Sequence, residues 1–276
     1  MKPFKTKSKV FLIIFIFLIV WIFWSNTTLS ISKYIISDES VPSEFNGFKI
    51  AHISDLHNAE IGKGNKNLLA NIKEENPDII VITGDIIDRN NTDTAVAINF
   101  AEAASKIAPC FYVNGNHEAS VNEYNDFKKA LKNVGITVLE DDYSVIDKNG
   151  QKIYVLGLSD PSFSGGRDIT SSLKHLKEAA GSNYTILLSH RPELFELYSE
   201  YEINLVFSGH AHGGQFRLPF IGGLIAPNQG LFPKYDSGLY TEETTSMIVS
   251  RGIGNSIIPI RINNRPNLGF AELKLK

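Results

Sequence analysis

The sequence predicts a mixed α/β fold of two sheets behind an N-terminal membrane segment. Strand-like and helix-like segments alternate through the first half, which is typical of a parallel sheet with helical crossovers. The second half has an excess of strand-like segments, which suggests a second sheet packed on the first. An uninterrupted apolar run at residues 10–24 precedes both halves.

The apolar run follows four lysines that lie between residues 2 and 9, and no acidic residue occurs before Asp38. A helix of 15 residues spans ~22 Å at about 1.5 Å per residue, which is short of the ~30 Å hydrocarbon core of a bilayer. Snorkelling lysines, and Trp21 and Trp24 at the interface, make up part of this difference. A buried core helix is disfavoured because no face of the run is polar.

A cleaved signal peptide is the alternative to a retained anchor. The sequence SNTTLSIS after the run is a poor match to a small-residue cleavage site, which favours the anchor. Lysines before the run predict a cytoplasmic N-terminus, so the protein would cross the cell membrane once with its body on the extracytoplasmic side. The absence of a twin-arginine pair favours the general secretory route. The expected organisation is a tail and anchor over 1–24, a linker with a possible edge strand over 25–45, and a globular domain over 46–276.

The predicted elements follow in chain order after a possible edge strand at 30–36. The first half alternates between strand 48–54, helix 68–75, strand 78–83, helix 92–107, strand 110–113 and helix 122–133. The second half has predicted strands at 136–139, 143–146, 152–158, 184–188, 203–207, 246–250 and 268–275, with one helix at 171–180.

Composition and charge exclude one class of partner. The chain has 276 residues, 43% apolar and 21% charged, which fits one globular domain with an appendage. Without the four N-terminal lysines, the 27 basic residues fall to 23 against 30 acidic ones, a net charge of −7. A nucleic acid partner is therefore not expected, because it requires a basic face. The single cysteine, Cys110, cannot form an internal disulfide. We expect it to be a small buried hydrophobic residue.

Five of the seven histidines lie in short polar clusters, each directly after an apolar strand-like run. In order, the clusters are Asp55-Leu56-His57, Gly84-Asp85, Gly115-Asn116-His117-Glu118, His190 and Gly209-His210-Ala211-His212. Strand ends that lie far apart in sequence can meet along one edge of a sheet. Imidazole, carboxylate and carboxamide groups suit Mn, Fe or Zn. Seven of these groups are candidate ligands, too many for one tetrahedral ion, and they suit two ions that share a carboxylate: Asp55, His57, Asp85, Asn116, His190, His210 and His212.

Each of these residues has an ordinary structural explanation when it is taken singly. Asp and Asn after a strand are commonly turn formers or helix caps, and histidine at a strand end is often a core residue. The joint pattern favours the metal site. His52, inside a strand, and His175, on a polar helix, are expected in the core and on the surface. A pair such as Asp55 and His57 is expected to project to one side of an extended backbone.

The ordered series D-x-H, G-D, G-N-H-E, H and G-H-x-H resembles the calcineurin-like metallophosphoesterase superfamily, from about Lys49 to His212. The segments HGGQFRLPFIGG, FPKY followed by GLY, and RGIGNSIIPIRINNRPNL resemble its membrane-associated YkuE/YaeI-type phosphodiesterase branch. This resemblance implies a four-layer α/β/β/α sandwich of two mixed sheets, with metals where the strand ends of both sheets converge.

The resemblance also implies roles for individual residues. The first ion would be held by Asp55, His57 and His212, the second by Asn116, His190 and His210, and Asp85 would bridge them. His117 would protonate the leaving-group oxygen or stabilise its charge, a role that suits a histidine poised near neutral pH. Glu118 stands where many relatives have Asp, and its carboxylate could orient His117 or raise its pKa. Arg89, Arg191 and Arg217 could each clamp a phosphoryl oxygen, with a structural role equally weighted.

The implied activity of residues 46–276 is hydrolysis of a phosphodiester or related phosphoester through a metal-bridging hydroxide, with Mn favoured over Fe or Zn. One alternative is a pyrophosphatase acting on a nucleotide-linked lipid of the UDP-2,3-diacylglucosamine type. Another is a catalytically silent, membrane-tethered binding module, which the complete set of motif residues disfavours. The anchor favours a lipid-linked or cell-wall substrate. Proteolytic and glycosidic chemistry lack support, since no GxSxG or HExxH occurs.

Overall fold

The alternating first half and the strand-rich second half form two six-stranded mixed sheets that pack face to face, with helices on both outer faces. The predicted four-layer α/β/β/α sandwich is therefore confirmed. The computed structural model describes residues 3–163, 168–255 and 258–276. Residues 1–2 of the predicted cytoplasmic tail and residues 256–257 of the C-terminal motif segment lie outside the described residues.

The helices are α1 Pro3–Thr27, α2 Lys66–Glu75, α3 Ala95–Ser105, α4 Tyr124–Asn133, α5 Ile169–Ala180 and α6 Phe195–Glu200. The strands are β1 Ser30–Asp38, β2 Lys49–Ile53, β3 Ile79–Thr83, β4 Cys110–Val113, β5 Ile136–Val138, β6 Asp142–Lys148, β7 Gln151–Leu158, β8 Tyr184–Ser189, β9 Leu205–Ser208, β10 Arg217–Leu218, β11 Gly222–Gly223, β12 Ile225–Ala226, β13 Gly230–Leu231, β14 Gly238–Glu242, β15 Thr245–Val249 and β16 Asn267–Leu275.

The first sheet has the strand order β1-β16-β2-β3-β4-β5. Strands β2 to β5 are parallel, and helices α2, α3 and α4 connect them in turn, as the alternating pattern predicts. The predicted edge strand is β1, which pairs in parallel with β16. Strand β16 is antiparallel to β2, so the C-terminus completes the sheet between the edge and its centre.

The second sheet has the strand order β14-β15-β9-β8-β7-β6. Strands β7, β8, β9 and β15 are parallel, while β6 and β14 are antiparallel edge strands. Helices α5 and α6 cover its outer face. The carboxyl ends of β8 and β9 lie at the same edge of the sandwich as those of β2, β3 and β4 in the facing sheet. This arrangement brings the polar clusters together.

Buried strands explain why the sequence of the first half is so apolar. In β3, Ile80 and Ile82 face the helices, while Ile79 and Val81 face the second sheet. Successive side chains of a strand point to opposite faces, and both faces of this sheet are covered. Phe111 and Phe207, from opposite sheets, lie in the layer between them.

Some elements differ from those predicted. The predicted helix 92–107 is shorter, Ala95–Ser105, because the carboxylates of Asp88 and Asp93 accept backbone N–H groups in the turns before it. Helix α6 and the two-residue strands β10 to β13 were not predicted, because such short elements do not establish a hydrophobic period.

Helix α1 is longer than the apolar run that predicts it. Its 25 residues span about 37 Å, and the stretch Lys9–Thr27 is long and apolar enough to cross a membrane. Its C-terminal end contacts the globular body. Asn26 donates to the carbonyl oxygen of Arg261 (3.0 Å) and accepts from its backbone N–H (2.8 Å), while the guanidinium of Arg265 lies 4.6 Å from the ring centre of Trp24.

Candidate metal centre

The predicted ligands converge at the carboxyl ends of β2, β3, β4, β8 and β9, on the seam between the two sheets. The seven are Asp55, His57, Asp85, Asn116, His190, His210 and His212. Asn116 is half-buried, and the other six are buried. This placement agrees with the expectation that strand ends far apart in sequence meet at one edge.

One group consists of Asp55, His57 and His212. The Nε2 atoms of the two histidines lie 3.3 Å apart, and the His212 Nε2 lies 3.4 Å from an Asp55 carboxylate oxygen. The His57 Nε2 lies 4.0 Å from the same oxygen. Three donor atoms thus point at one small volume, as a tetrahedral cation requires.

A second group consists of Asp85, His190 and His210. The His190 Nε2 lies 3.2 Å from Asp85 Oδ2 and 3.2 Å from His210 Nδ1. The His190 Nδ1 lies 2.7 Å from the carbonyl oxygen of Thr83, which holds its proton and leaves Nε2 to bind a metal ion. The Asn116 Oδ1 is buried and has no hydrogen-bond partner among the described residues, as expected of an oxygen that binds a metal.

Asp85 lies between the two groups. Its Oδ2 atom is 3.2 Å from the His190 Nε2 and 3.8 Å from the His57 Nε2, so one carboxylate oxygen faces both sets of donors. Its Oδ1 atom accepts a hydrogen bond from the backbone N–H of His117 at 2.8 Å, which fixes the carboxylate plane.

Electrostatics at these groups suit divalent cations. Burial lowers the pKa of His57 and of His210 to about 3, so both rings are neutral and can bind a metal. Burial raises the pKa of Asp55 to about 6. Burial also lowers the pKa of His190, but the charge and hydrogen bond of Asp85 and the charges of Asp55 and Asp160 together outweigh it, and the pKa rises to about 10. These buried carboxylates require a positive partner, and a donor set of imidazole and carboxylate without thiolate fits Mn, Fe or Zn.

The backbone is left-handed at five of the seven predicted ligands. The φ angles are 52° at Asp55, 46° at His57, 51° at Asp85, 64° at His210 and 48° at His212. The expectation that these pairs project from extended backbone is therefore wrong. Left-handed backbone costs roughly 1–2 kcal/mol at a non-glycine residue, and such strain concentrates at functional sites.

Two glycines of the motifs allow the loops to approach this closely. A Cβ atom on Gly115 would lie 2.3 Å from Asp85 Oδ1, and one on Gly209 would lie 1.9 Å from the hydroxyl oxygen of Ser54. Any side chain at either position would push a predicted ligand loop out of place.

A profile of the calcineurin-like phosphoesterase family matches residues 48–214, which contain all of these groups. The chain belongs to this family. The phosphoesterase is therefore a metal-dependent hydrolase of phosphoester bonds.

Relatives agree with this assignment, and a solved structure agrees with the fold. The phosphoesterase is 32% identical over 250 residues to the uncharacterized metallophosphoesterase YkuE of Bacillus subtilis, covering 88% of this chain and 85% of that protein. It is 28% identical over 235 residues to the phosphodiesterase YaeI of Escherichia coli, covering 82% of each. The crystal structure of TT1561 of Thermus thermophilus has the same fold, with a TM-score of 0.53 at 14% identity, covering 75% of this chain and 90% of that chain.

A cavity of about 280 Å³ opens at the candidate metal centre, and we call it the metal cavity. Its lining includes His117, together with the predicted ligands Asp85, Asn116, His210 and His212. The His117 ring lies edge-on to that of His57, with centres 4.4 Å apart. The backbone N–H of Arg89 donates to the His117 Nδ1 at 3.2 Å, so the proton of the neutral ring lies on Nε2. Burial lowers the pKa of His117, although Asp85 and Asp88 oppose the shift.

Asp88 is a residue of this site that motif reasoning missed. Its carboxylate oxygens lie 3.9 Å from the His57 Nδ1 and 3.8 Å from the His117 Nδ1, so it faces both rings. It also accepts a hydrogen bond from the backbone N–H of Asn90. An aspartate in such a turn has an ordinary structural explanation, so the sequence does not mark it as a site residue. Its position three residues after Asp85 is the signal that could have found it.

Glu118 does not orient His117, which corrects the expectation from sequence. Its buried carboxylate accepts four backbone N–H groups, those of Asp85, Ile86 and Ile87 at 2.8, 2.8 and 3.3 Å and that of Gly115 at 2.8 Å. Glu118 thus ties the loop after β3 to the loop after β4 and fixes Asp85 relative to Asn116.

We expect Glu118→Ala to lower the free energy of unfolding of the phosphoesterase by about 3 kcal/mol or more. Four buried donors would lose their acceptor, at about 1–3 kcal/mol for each group left unsatisfied. Thermal unfolding of the full chain in detergent measures this, with the exposed Glu102→Ala as the matched control. A change within about 0.5 kcal/mol, typical of surface substitutions, would contradict the role.

The three arginines that could clamp a phosphoryl oxygen lie in different surroundings in the structure. Arg89 and Arg191 line the metal cavity. The Arg191 guanidinium is held by the buried Asp160 through Nε at 2.5 Å and Nη2 at 3.0 Å, and its Nη1 lies 2.9 Å from the His210 Nε2. Arg217 pairs with Asp236 and the Gly213 carbonyl and does not line this cavity.

The remaining predictions for single residues agree with the structure. His52 is buried, its Nε2 lies 2.9 Å from the Thr83 hydroxyl, and its ring packs edge-on against Phe207. His175 is exposed on α5. Cys110 is a buried free thiol.

Proposed function

We propose that the phosphoesterase holds two divalent metal ions and hydrolyses a phosphodiester on the outer side of the cell membrane. The observation that supports two ions is the position of Asp85 Oδ2, which faces both the His57 and the His190 donor groups. The first ion would be held by Asp55, His57, His212 and Asp85, and the second by Asp85, Asn116, His190 and His210.

The two ions, with Mn favoured, would supply Lewis acidity that neutralises phosphoryl oxygens and acidifies water. The chain's own residues orient the reactants. Arg191, rigid in its pair with Asp160, offers charge-assisted hydrogen bonds at the cavity wall. His117 offers its Nε2–H as a hydrogen-bond donor that would stabilise the charge developing on the leaving-group oxygen. The Arg89 N–H positions this ring through its Nδ1, and the Asp88 carboxylate lies 3.8 Å from the same nitrogen.

A phosphodiester is favoured because the relative YaeI is named a phosphodiesterase. The test is a screen of the Mn-loaded full chain against an aryl phosphodiester, a phosphomonoester, phospholipids and nucleotide-sugar lipids, with Asp85→Asn as the blank. Cleavage of the diester above the blank supports the proposal. A preference for the monoester, or for a nucleotide-linked lipid pyrophosphate, would replace the substrate class.

Removal of metal should abolish activity, and Mn should restore it. The donor set contains no thiolate, so a borderline cation fits it better than a soft one. Metal analysis of the purified protein should approach two ions per chain, with activity following the content as chelator is titrated. Fully active enzyme with one ion per chain would contradict the bridging role of Asp85.

We also propose that α1 is retained as the membrane anchor. Its apolar stretch Lys9–Thr27 suffices to cross a bilayer, and the hydrogen bonds of Asn26 with Arg261 give its end a defined partner in the body. A cleaved segment would lose this contact. The lysines that precede the apolar stretch favour a cytoplasmic N-terminus.

Protease added to intact cells should therefore remove the catalytic domain from the membrane fraction. The physical reason is that the charge bias of the lysines keeps the N-terminus inside and exports the body. Immunoblotting against an epitope at the C-terminus measures this, with a cytoplasmic protein as the control. Protection until the membrane is breached would reverse the orientation, and a mature N-terminus beyond Trp24 would make the segment a signal peptide.

A further inference from the structure

The surface around the end of α1 exposes large apolar side chains that the metal centre does not use. We call this surface the apolar face, and it consists of Leu218, Phe220, Ile221, Ile225, Leu231, Phe232, Ile258, Ile260 and Ile262. Phe220, at the tip of the β10–β11 hairpin, is fully exposed. A large exposed apolar patch marks a site that binds a membrane or a partner, because it is costly to leave in water.

Backbone contacts make this face continuous. The N–H of Arg217 bonds the Ile262 carbonyl at 3.0 Å, that of Phe232 bonds the Leu224 carbonyl at 2.9 Å, and Ile225 pairs with Leu231. Gln215 holds the Ile258 and Ile260 carbonyls, each at 2.8 Å. The three segments that carry the apolar face, 218–221, 225–232 and 258–262, therefore form one layer over the loop that carries His212.

The anchor fixes where this face lies. Asn26 at the end of α1 bonds the backbone of Arg261, which stands between Ile260 and Ile262. Trp24 lies under the guanidinium of Arg265, a pairing typical of the membrane interface. The apolar face thus begins at the end of α1, and with α1 retained as the anchor its neighbour would be the surface of the bilayer.

An apolar cavity of about 390 Å³ opens between this face and the metal centre. Ile225 and Ile258 of the apolar face form part of its wall, together with Ala226 and Gly230. His212, Pro227 and Asn228 line both this cavity and the metal cavity, so the two adjoin. A cavity of this volume is within the range of ligand pockets.

We propose that the substrate is a membrane lipid phosphoester, with its phosphate in the metal centre and a hydrocarbon chain in the apolar cavity. The apolar face rests on the bilayer and delivers the lipid. Water adds to phosphorus and the bond to the leaving alcohol breaks, which gives a phosphomonoester and an alcohol. This inference rests on the proposed phosphodiesterase function and retained anchor, and it names their substrate class.

The test compares two aryl diesters with the same leaving group, methyl and dodecyl p-nitrophenyl phosphate, on the Mn-loaded full chain at one fixed detergent concentration. Each buried methylene is worth roughly fourfold in affinity, so wild type should prefer the dodecyl ester by about 10-fold or more in kcat/KM. The double variant Ile225→Asn with Ile258→Asn should lose this preference, because its kcat/KM should fall far more for the dodecyl ester than for the methyl ester. Val145→Asn, on the exposed edge strand β6, is the matched control and should behave as wild type.

The outcomes separate the two proposals. Equal turnover of both esters by wild type, with the methyl ester cleaved above the Asp85→Asn blank, overturns the lipid inference and leaves the phosphodiesterase function intact. Equal slowing of both esters by the double variant also overturns it, because the cavity would then support the site instead of binding the chain. Turnover of neither ester above the blank overturns the phosphodiesterase function and this inference with it.

Contact with the bilayer is tested separately. Phe220→Cys, labelled with an environment-sensitive fluorophore in phosphatidylcholine vesicles, should be quenched by lipids that carry a spin label in the chain. Cys110 is buried and does not compete for the label. Val145→Cys is the control and should stay unquenched. Equal quenching at both positions, or none at Phe220→Cys, would overturn the placement of the apolar face.

Discussion

Asp85→Asn should remove metal and activity together, with a loss of kcat/KM larger than about 100-fold. Groups that only orient a metal ligand are typically worth 10–100-fold, and Asp85 contacts both donor groups directly. The amide oxygen can keep the hydrogen bond that Oδ1 accepts from His117. The amide nitrogen then replaces Oδ2 between His57 and His190, where it carries no charge and cannot bind a cation.

Metal content per chain and kcat/KM, measured on the same preparation, check this prediction. Thermal unfolding in the presence of chelator shows whether the fold survives the substitution. Asp126→Asn is the matched control, because that carboxylate is exposed on α4 and its ion pair is with the exposed Lys129. A variant that keeps two ions and wild-type kcat/KM would exclude a bridging role for Asp85.

His117→Ala should keep nearly all of its metal and lose rate. Help from a donor placed at the leaving group is typically worth ~10²–10⁴-fold, and the hydrogen bond that the His117 Nδ1 accepts from the Arg89 N–H places the ring proton on Nε2. The loss should depend on the leaving group. A nitrophenolate departs without a proton, so an aryl ester should suffer least, and an alkoxide from a lipid or sugar should suffer most.

The measurement is kcat/KM for both substrate types on wild type, His117→Ala and the exposed surface control His175→Ala. Equal slowing of both substrates would mean that His117 binds the phosphoryl group or orders the site. Loss of metal from His117→Ala would make it a ligand, through the group that it forms with His57 and Asp88.

The strand ends are the part of this protein that sequence predicts best. The segment IIVIT of β3 is apolar throughout because both faces of its sheet are covered. Each motif stands directly after such a strand, and parallel strands bring their carboxyl ends to one edge. The two-residue strands β10 to β13 were beyond sequence reasoning, since a hydrophobic period needs more residues than they contain.

The sequence by itself determined the two-sheet fold, the membrane-length helix and the residues that meet at the seam, because local periodicity and motif order encode them. Tertiary structure alone decided which groups face one another. His57 and His212 are 155 residues apart, and only the packing of the two sheets brings their Nε2 atoms to 3.3 Å. The same is true of Glu118, whose hydrogen-bond donors lie mostly on a neighbouring loop, and of the apolar face, which meets the anchor through Asn26 and Arg261. Contacts of this kind depend on how sheets, loops and the anchor pack, and no short-range pattern records that.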